Sequence, residues 1–283
     1  MANTSEPNAA EPNAAEPNAA GQGWDPSRYG QFEAERSQPF FDLAALVEPV
    51  ADLRILDLGC GTGELTAWLH RQLGARETLG IDRSTTMIER AAPHAGDGVQ
   101  FRQTAIEPFL DEQPARSWPL VFSNAALQWL PDHPRLLPRI AALVADGGQL
   151  AIQMPANADH PSHRIARELA HDPRFAGPLG GYEREDTLQA PEWYASTLHE
   201  LGFPRPHVRV QVYGHVLPST RSVSDWVQGS LLTPYRERLS ETDYALFLET
   251  YEARVSQELG DLAPYFYPFK RLLIRARRES PAP

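Results

Sequence analysis

The chain has 283 residues, 42% of them hydrophobic and 9% aromatic, and a formal net charge of −11. That length suits one large domain or one domain with a cap, and an acidic chain with no Lys/Arg run argues against nucleic acid as a partner. One cysteine, Cys60, excludes an intrachain disulfide and fits a reducing cytoplasm, and no apolar run of transmembrane length or signal-peptide core points to a membrane.

Residues 6–20 are three copies of Glu-Pro-Asn-Ala-Ala. The repeat has no apolar periodicity that could bury a face, so residues 1–22 read as a disordered tail and residues 23–283 as the folded domain. Trp24-Asp25-Pro26-Ser27-Arg28-Tyr29 opens that domain, and Phe32, Phe40, Leu43 and Leu46 give a loosely helical pattern up to Pro49. Tyr29 and Arg36 stand two turns apart on one face of such a helix.

The stretch Ile55-Leu56-Asp57-Leu58-Gly59-Cys60-Gly61-Thr62-Gly63 is an apolar run with an acid, then glycines at every second position. Leu65, Leu69 and Leu73 follow at helical spacing, so the segment reads as buried strand, tight turn and helix start. Glycines let the chain take positive φ and let a ligand approach the backbone. Glu77-Thr78-Leu79-Gly80-Ile81-Asp82 reads as the next strand, ending in an acid placed to bind a ribose diol. A dinucleotide loop wants a third glycine for the pyrophosphate, and that position is Glu64, whose carboxylate would repel it. The D-x-G-x-G-x-G pattern instead resembles motif I of class I S-adenosylmethionine-dependent methyltransferases, whose cofactor carries no phosphate. Small residues are needed in this loop, which accounts for Cys60 without a nucleophilic role.

Ser84-Thr85-Thr86-Met87 reads as an N-cap and first helical turn, with Met87 a candidate to pack on adenine. Val99–Gln103 is a third strand. The acid that often follows it in this fold is absent, which leaves only the backbone of Ala105 and Ile106 for the adenine edge. Leu120-Val121-Phe122-Ser123-Asn124 is the fourth strand, with Asn124 at the switch point where ligands bind. A helix is expected from about Pro134 to Ala145, stopped by Asp146-Gly147-Gly148, and Gln149–Met154 is the fifth strand.

Three strings then narrow the resemblance. They are Trp24-Asp25-Pro26…Tyr29…Phe32…Arg36, Ser123-Asn124-Ala125…Leu127-Gln128-Trp129-Leu130-Pro131-Asp132-His133, and Gln153-Met154-Pro155…Asn157…Pro161-Ser162-His163. Together they resemble the trans-aconitate 2-methyltransferase family, from Trp24 to about Arg278. The resemblance implies an α/β fold: a doubly wound, seven-stranded, mostly parallel Rossmann-like sheet of the class I methyltransferase type. Further on, Pro161–His171 and Pro191–Leu201 read as helices. Val208, Val210 and Val212 alternate with Arg209 and Gln211 as a strand with one buried face. Ser240-Glu241-Thr242-Asp243 resembles a capping box ahead of an amphipathic helix through Tyr244, Phe247, Leu248, Tyr251 and Val255. Arg271–Arg275 would be the reversed strand beside the fifth, so residues 214–264 form a helical cap insertion over the substrate.

For function, the resemblance implies S-adenosylmethionine held by Tyr29, Arg36, Asp57, Gly59, Gly61, Gly63, Asp82, Met87, Ala105, Ile106 and Asn124, with Arg36 facing the methionine carboxylate. The acceptor would be a small organic acid, methylated to a monomethyl ester, with Gln128, Trp129, Tyr194, Tyr235 and Arg236 as substrate residues. An ionised carboxylate needs no base, so no catalytic residue beyond positioning is expected. His133, His163 and His215 fit structural roles. His160 and His163 alone are too few for a metal, and none is expected. Related sequences tend to carry a basic residue where Thr233 stands, and Arg236, close after it, is the candidate replacement. Two alternatives stay open: methylation of a carrier-bound malonyl group or of a natural-product O, N or C atom, and S-adenosylmethionine binding without transfer. A cytoplasmic monomer or weak homodimer completes the expectation.

Overall fold

The computed structural model describes residues 33–280, of which residues 33–36 are described as backbone alone. The repeat tail, the Trp24–Phe32 string and Tyr29 lie outside the described residues. Helix α1 (Glu33–Ala44) leads into β1 (Arg54–Leu58), α2 (Glu64–Leu73), β2 (Glu77–Asp82), α3 (Thr85–Ala91) and β3 (Val99–Gln103). Helix α4 (Ile106–Glu112), β4 (Trp118–Asn124), α5 (His133–Leu143) and β5 (Val144–Pro155) continue the alternation. Then come α6 (Pro161–Ala170), α7 (Pro173–Ala176), α8 (Pro191–Glu200) and β6 (His207–Leu217). Helices α9 (Ser222–Gln228), α10 (Thr233–Arg236) and α11 (Glu241–Leu259) precede the last strand, β7 (Tyr265–Arg277).

The seven strands form one sheet in the order β3-β2-β1-β4-β5-β7-β6. Strands β1 to β5 pair in parallel, and β7 runs antiparallel to both β5 and β6. This is the expected sheet, with the reversed strand inserted beside the fifth. The central strands read as continuous apolar runs because helices cover both faces. Leu56, Leu58, Val121 and Ile152 pack under α4, α5 and α8, whereas Ile55, Leu120, Phe122 and Ala151 pack under α1 and α2. The chain leaves β1 toward β2 on one side and returns to β4 on the other. That makes the carboxyl ends of β1 and β4 the switch point of the sheet.

A second core joins Trp226, Tyr235, Phe247 and Tyr251 to Tyr265, Tyr267 and Phe269 of β7. Ile165, Leu169, Phe175 and Leu179 belong to the same core, so α6 and α7 pack with the inserted helices. The capping signal at Ser240 is present, with the Asp243 N–H donating to its Oγ at 3.1 Å.

Two local expectations change. Helix α5 ends at Leu143 rather than Ala145, because Val144 already pairs with Trp118 and starts β5. Gly147, at φ +71°, therefore lies within the strand segment and does not cap a helix. In β6 only Val208 packs against the core as expected; Val210 and Val212 are 45% and 55% exposed, whereas Tyr213, His215 and Leu217 on the other face are buried. β6 is an edge strand, and the aromatic cap covers its odd-numbered side. Among the described residues, no helix is long and apolar enough to cross a membrane.

Candidate active site

The glycine turn closes on the end of β2. The N–H groups of Gly59 and Cys60 both donate to the Ile81 carbonyl, at 2.8 and 2.9 Å. Gly59 has φ +85°, and a Cβ there would stand 2.2 Å from the Ala126 Cβ. The turn can thus nest against the chain leaving β4 only as glycine. At Gly61, by contrast, a Cβ would meet nothing within 4 Å, so this backbone faces open space. Its N–H donates to Asp82 Oδ2 at 3.1 Å, and the Ser84 N–H donates to Asp82 Oδ1 at 2.9 Å. The half-buried carboxylate is thereby fixed at the mouth of the turn with lone pairs left for two hydroxyl donors.

Asp57 sits deeper. It is 3% exposed and accepts from Thr66 Oγ1 at 2.5 Å, which ties β1 to α2. Burial raises its pKa to about 7, opposed by the Thr66 hydrogen bond and helped by the charge of Asp82. Burial, with Asp57 and Asp82 nearby, also drives the Cys60 thiol far up, so no thiolate nucleophile forms. Met87 is buried beneath α3, whose first turn is capped by Ser84 Oγ as expected. The Ile106 side chain points into the core and the Ala105 carbonyl accepts from Phe109. Only backbone N–H groups at the start of α4 remain for an adenine edge.

The far side of the site is the segment after β4. Ala125 lies in the left-handed region at φ +52°, uncommon for a residue with a side chain. Its N–H donates to the Gln153 carbonyl at 2.9 Å, and its own carbonyl accepts from Gln128 Nε2 at 2.7 Å. Among the described residues, Asn124 Oδ1, Gln128 Oε1 and both side-chain amide atoms of Gln153 are buried without a hydrogen-bond partner. Asn124 and Gln153 pair across β4 and β5 and share one face. Buried polar atoms are ordinarily satisfied, so this cluster beside the glycine turn has the chemistry of a ligand-binding wall.

Comparison with known proteins agrees with this geometry. A methyltransferase-domain family matches residues 11–195. The trans-aconitate 2-methyltransferase of Deinococcus radiodurans is 39% identical over 261 residues, covering 90% of this chain and 98% of that one. That of Methylobacterium nodulans is 38% identical over 258 residues, covering 90% and 98%. The chain belongs to the trans-aconitate 2-methyltransferase family. Solved structures share the fold: the YcgJ protein of Bacillus subtilis superposes with a TM-score of 0.54 at 17% identity, covering 86% of this chain and 98% of that one. A phosphoethanolamine N-methyltransferase of Haemonchus contortus in complex with S-adenosyl-L-methionine gives 0.51 at 18% identity, covering 86% and 53%.

As a methyltransferase of this family the protein uses S-adenosylmethionine, and the residues present fit that cofactor. The turn offers open backbone at Gly61, Asp82 offers a diol acceptor, and Glu64 occupies the place a pyrophosphate site would keep free of charge. Of the other expected cofactor residues, Arg36 lies in α1 with its side chain outside the described part, and Tyr29 lies outside altogether.

The substrate residues divide. Gln128 and Trp129 stand beside the unpartnered wall. Tyr194 does not: it is 1% exposed among Leu198, Phe203 and Ile140, and its hydroxyl bonds His133 Nδ1 and the Gln189 N–H. Its role is to hold the helix core. Arg236 is exposed at the cap surface, its guanidinium 6.0 Å from the Tyr244 ring centroid, because a four-residue helix turns Tyr235 inward and the next residue outward. Tyr235 stacks on Phe247 inside the cap, at 5.1 Å, with its hydroxyl buried, its oxygen facing the Arg184 main-chain N–H and its proton without an acceptor among the described residues.

The histidines are structural. Burial lowers His133, which bonds the Leu127 carbonyl, lowers His160 to about 4, and holds His163 well below its usual range. His215 is buried 4.3 Å from Trp226. Among the described residues no group of His, Cys, Asp and Glu could hold a metal. Sequence reasoning passed over three cations: Arg167 on α6, Arg184 in the loop before α8, and Arg271 on β7.

Proposed function

We propose that this protein transfers the methyl group of S-adenosylmethionine to a carboxylate of a small polycarboxylic acid, trans-aconitate being the leading candidate, and releases a monomethyl ester. The observation that carries this reading is identity of 39% over nearly the full length of a trans-aconitate 2-methyltransferase. The site chemistry supports it. A carboxylate is already ionised at neutral pH, and the histidines nearest the site are held below the range where a base would serve. Gly59, Gly61 and Gly63 would hold the cofactor along the backbone, with Asp82 on its ribose hydroxyls. Met87 and the Ala105–Ile106 N–H groups would flank its adenine, and Asn124 would face its amino-acid end. When bound, S-adenosylmethionine supplies an activated methyl group, so the residues around it act by orienting the acceptor and excluding water. We further place the enzyme in the cytoplasm as a monomer or weak homodimer, without nucleic-acid or membrane partners.

The test is product detection by mass spectrometry with S-adenosylmethionine and a panel of mono-, di- and tricarboxylic acids, alcohols and amines. A monomethyl ester from a polycarboxylic acid is the expected product. Methylation of an alcohol or amine with no acid turned over would replace the ester reading.

A further inference from the structure

The protein carries a net charge of −11, yet two arginines sit where the cap helices meet the loops at the end of the sheet. Several arginines, among them Arg102, Arg116, Arg139, Arg164 and Arg174, have a carboxylate partner within 4.0 Å. Arg167 and Arg184 have none among the described residues and donate instead to main-chain carbonyls. Arg184 Nη1 reaches the Ser230 carbonyl at 3.3 Å, and Arg167 Nη2 reaches Ala158 at 2.8 Å. Arg184 also lies over Trp129, with 4.2 Å from its Cζ to the ring centroid. It therefore bridges the segment after Asn124 to the cap.

We propose that Arg167, Arg184 and the Tyr235 hydroxyl form the socket that grips the acceptor's other carboxylates while one carboxylate meets the methyl donor. The inference rests on the carboxyl methylation proposed above and assigns its specificity. The groups lie within electrostatic reach of one another: Arg184 and Arg167 both act on Tyr235, and with Arg271 they act on half-buried His163. Burial disfavours the charge on Arg184, and the acid nearest to offset it is exposed Asp186. Two guanidinium groups without a carboxylate present ten N–H donors, of which the protein takes two. A di- or tricarboxylate supplies the missing acceptors, and Arg–carboxylate pairing is the geometry these forks favour. Tyr235 adds a donor that is 0% exposed: its oxygen faces the Arg184 main-chain N–H, and its own proton has no acceptor among the described residues. A monocarboxylate engaged at the methyl donor would leave the socket empty, so the site discriminates by the number of carboxylates.

The experiment is calorimetric titration of trans-aconitate, in the presence of S-adenosylhomocysteine, into wild type, Arg184→Gln, Arg167→Gln, Tyr235→Phe and Arg236→Ala, with crotonate as the monocarboxylate control. Each arginine variant should weaken trans-aconitate binding by about tenfold to a hundredfold, as loss of a charged hydrogen-bond partner does. Crotonate and S-adenosylhomocysteine should bind as before. Tyr235→Phe removes one oxygen, whose contact in the protein is the Arg184 main-chain N–H, so it keeps the fold and should still weaken trans-aconitate. Arg236→Ala should change nothing. Wild-type affinity for trans-aconitate in all three socket variants, with ester still formed, overturns the socket and leaves the reaction standing. Binding that depends on the arginines without ester formation keeps the socket and removes the reaction. Competition by inorganic phosphate as effective as that by dicarboxylates would overturn the carboxylate assignment.

Discussion

Replacing Asp82 by Ala tests the cofactor geometry most directly. The carboxylate accepts one N–H from Gly61 at 3.1 Å and one from Ser84 at 2.9 Å, which fixes its plane at the turn's mouth. On the proposed placement of the cofactor, its remaining lone pairs would accept from the ribose diol. Hydrogen bonds to a charged acceptor contribute about 1.5–3 kcal/mol, so the alanine variant should bind S-adenosylhomocysteine about tenfold to about 150-fold more weakly. The stability effect should be smaller, because water can reach the two freed N–H groups at this half-buried position. Asp82→Asn should fall between, since one of its two polar atoms becomes a donor facing a donor. The assay is calorimetric titration of S-adenosylhomocysteine, with urea unfolding as the control for folding. An affinity within about twofold of wild type for Asp82→Ala, in a fully folded variant, would refute the placement of the nucleoside over this carboxylate.

Gly59→Ala should destabilise by about 1–3 kcal/mol, from positive φ together with overpacking, and should abolish cofactor binding; adding Ala126→Gly should restore the space but not the backbone cost, so urea midpoints should recover only in part. Asp57 has its pKa raised from 3.8 to about 7 on folding. A raised carboxyl pKa means the native state holds the proton longer, so stability is highest below about pH 4 on this account and falls as pH rises toward 7, by about 4 kcal/mol at most. Asp57→Asn should flatten that part of the stability–pH profile, and an unchanged slope between pH 4 and 7 would count against it. The chemical step, measured at saturating cofactor, should be flat from about pH 6 to 8, because the acceptor carboxylate titrates near 4 and His133, His160 and His163 are all pushed down. A rate rising through an imidazole-like pKa would point to a base and to an alcohol or amine acceptor.

The sheet was legible because its strands are short apolar runs punctuated by glycine and acid, and that punctuation is set by local geometry. Asp82 could be read as a strand end, and the structure adds why it works there, through the two N–H groups that orient it. The end of α5 was misjudged because Gly147-Gly148 resembles a helix stop, whereas pairing of Val144 with Trp118 starts the strand sooner. In β6 the alternation was visible but its sense was not. Alternating Val with Arg and Gln suggests that valine is buried, which holds for Val208 against the core, yet further along the aromatic cap selects the face bearing Tyr213, His215 and Leu217, and Val210 and Val212 at the open edge stay exposed.

The cations show where sequence reading stops. Arg236 drew attention because it follows Thr233, where related sequences tend to carry a base, but a helix of four residues cannot turn both Tyr235 and Arg236 inward. Thr233 itself donates to the Gln228 carbonyl at 2.9 Å and serves the local turn. The guanidinium that does reach this part of the cap comes from Arg184, some fifty residues earlier, and arrives by tertiary packing over Trp129. No periodicity marks such a residue, since it lies in an irregular loop between α7 and α8. What marks it is a guanidinium held by the Ser230 carbonyl and the Trp129 ring with no carboxylate partner among the described residues, a combination that exists only once the chain has folded. The same holds for Tyr235, whose ring stacks on Phe247 and whose hydroxyl proton finds no acceptor among the described residues. On the proposed reading, the donor half of the site is written in local turn chemistry, whereas the acceptor half is assembled from distant residues that only the folded chain brings together.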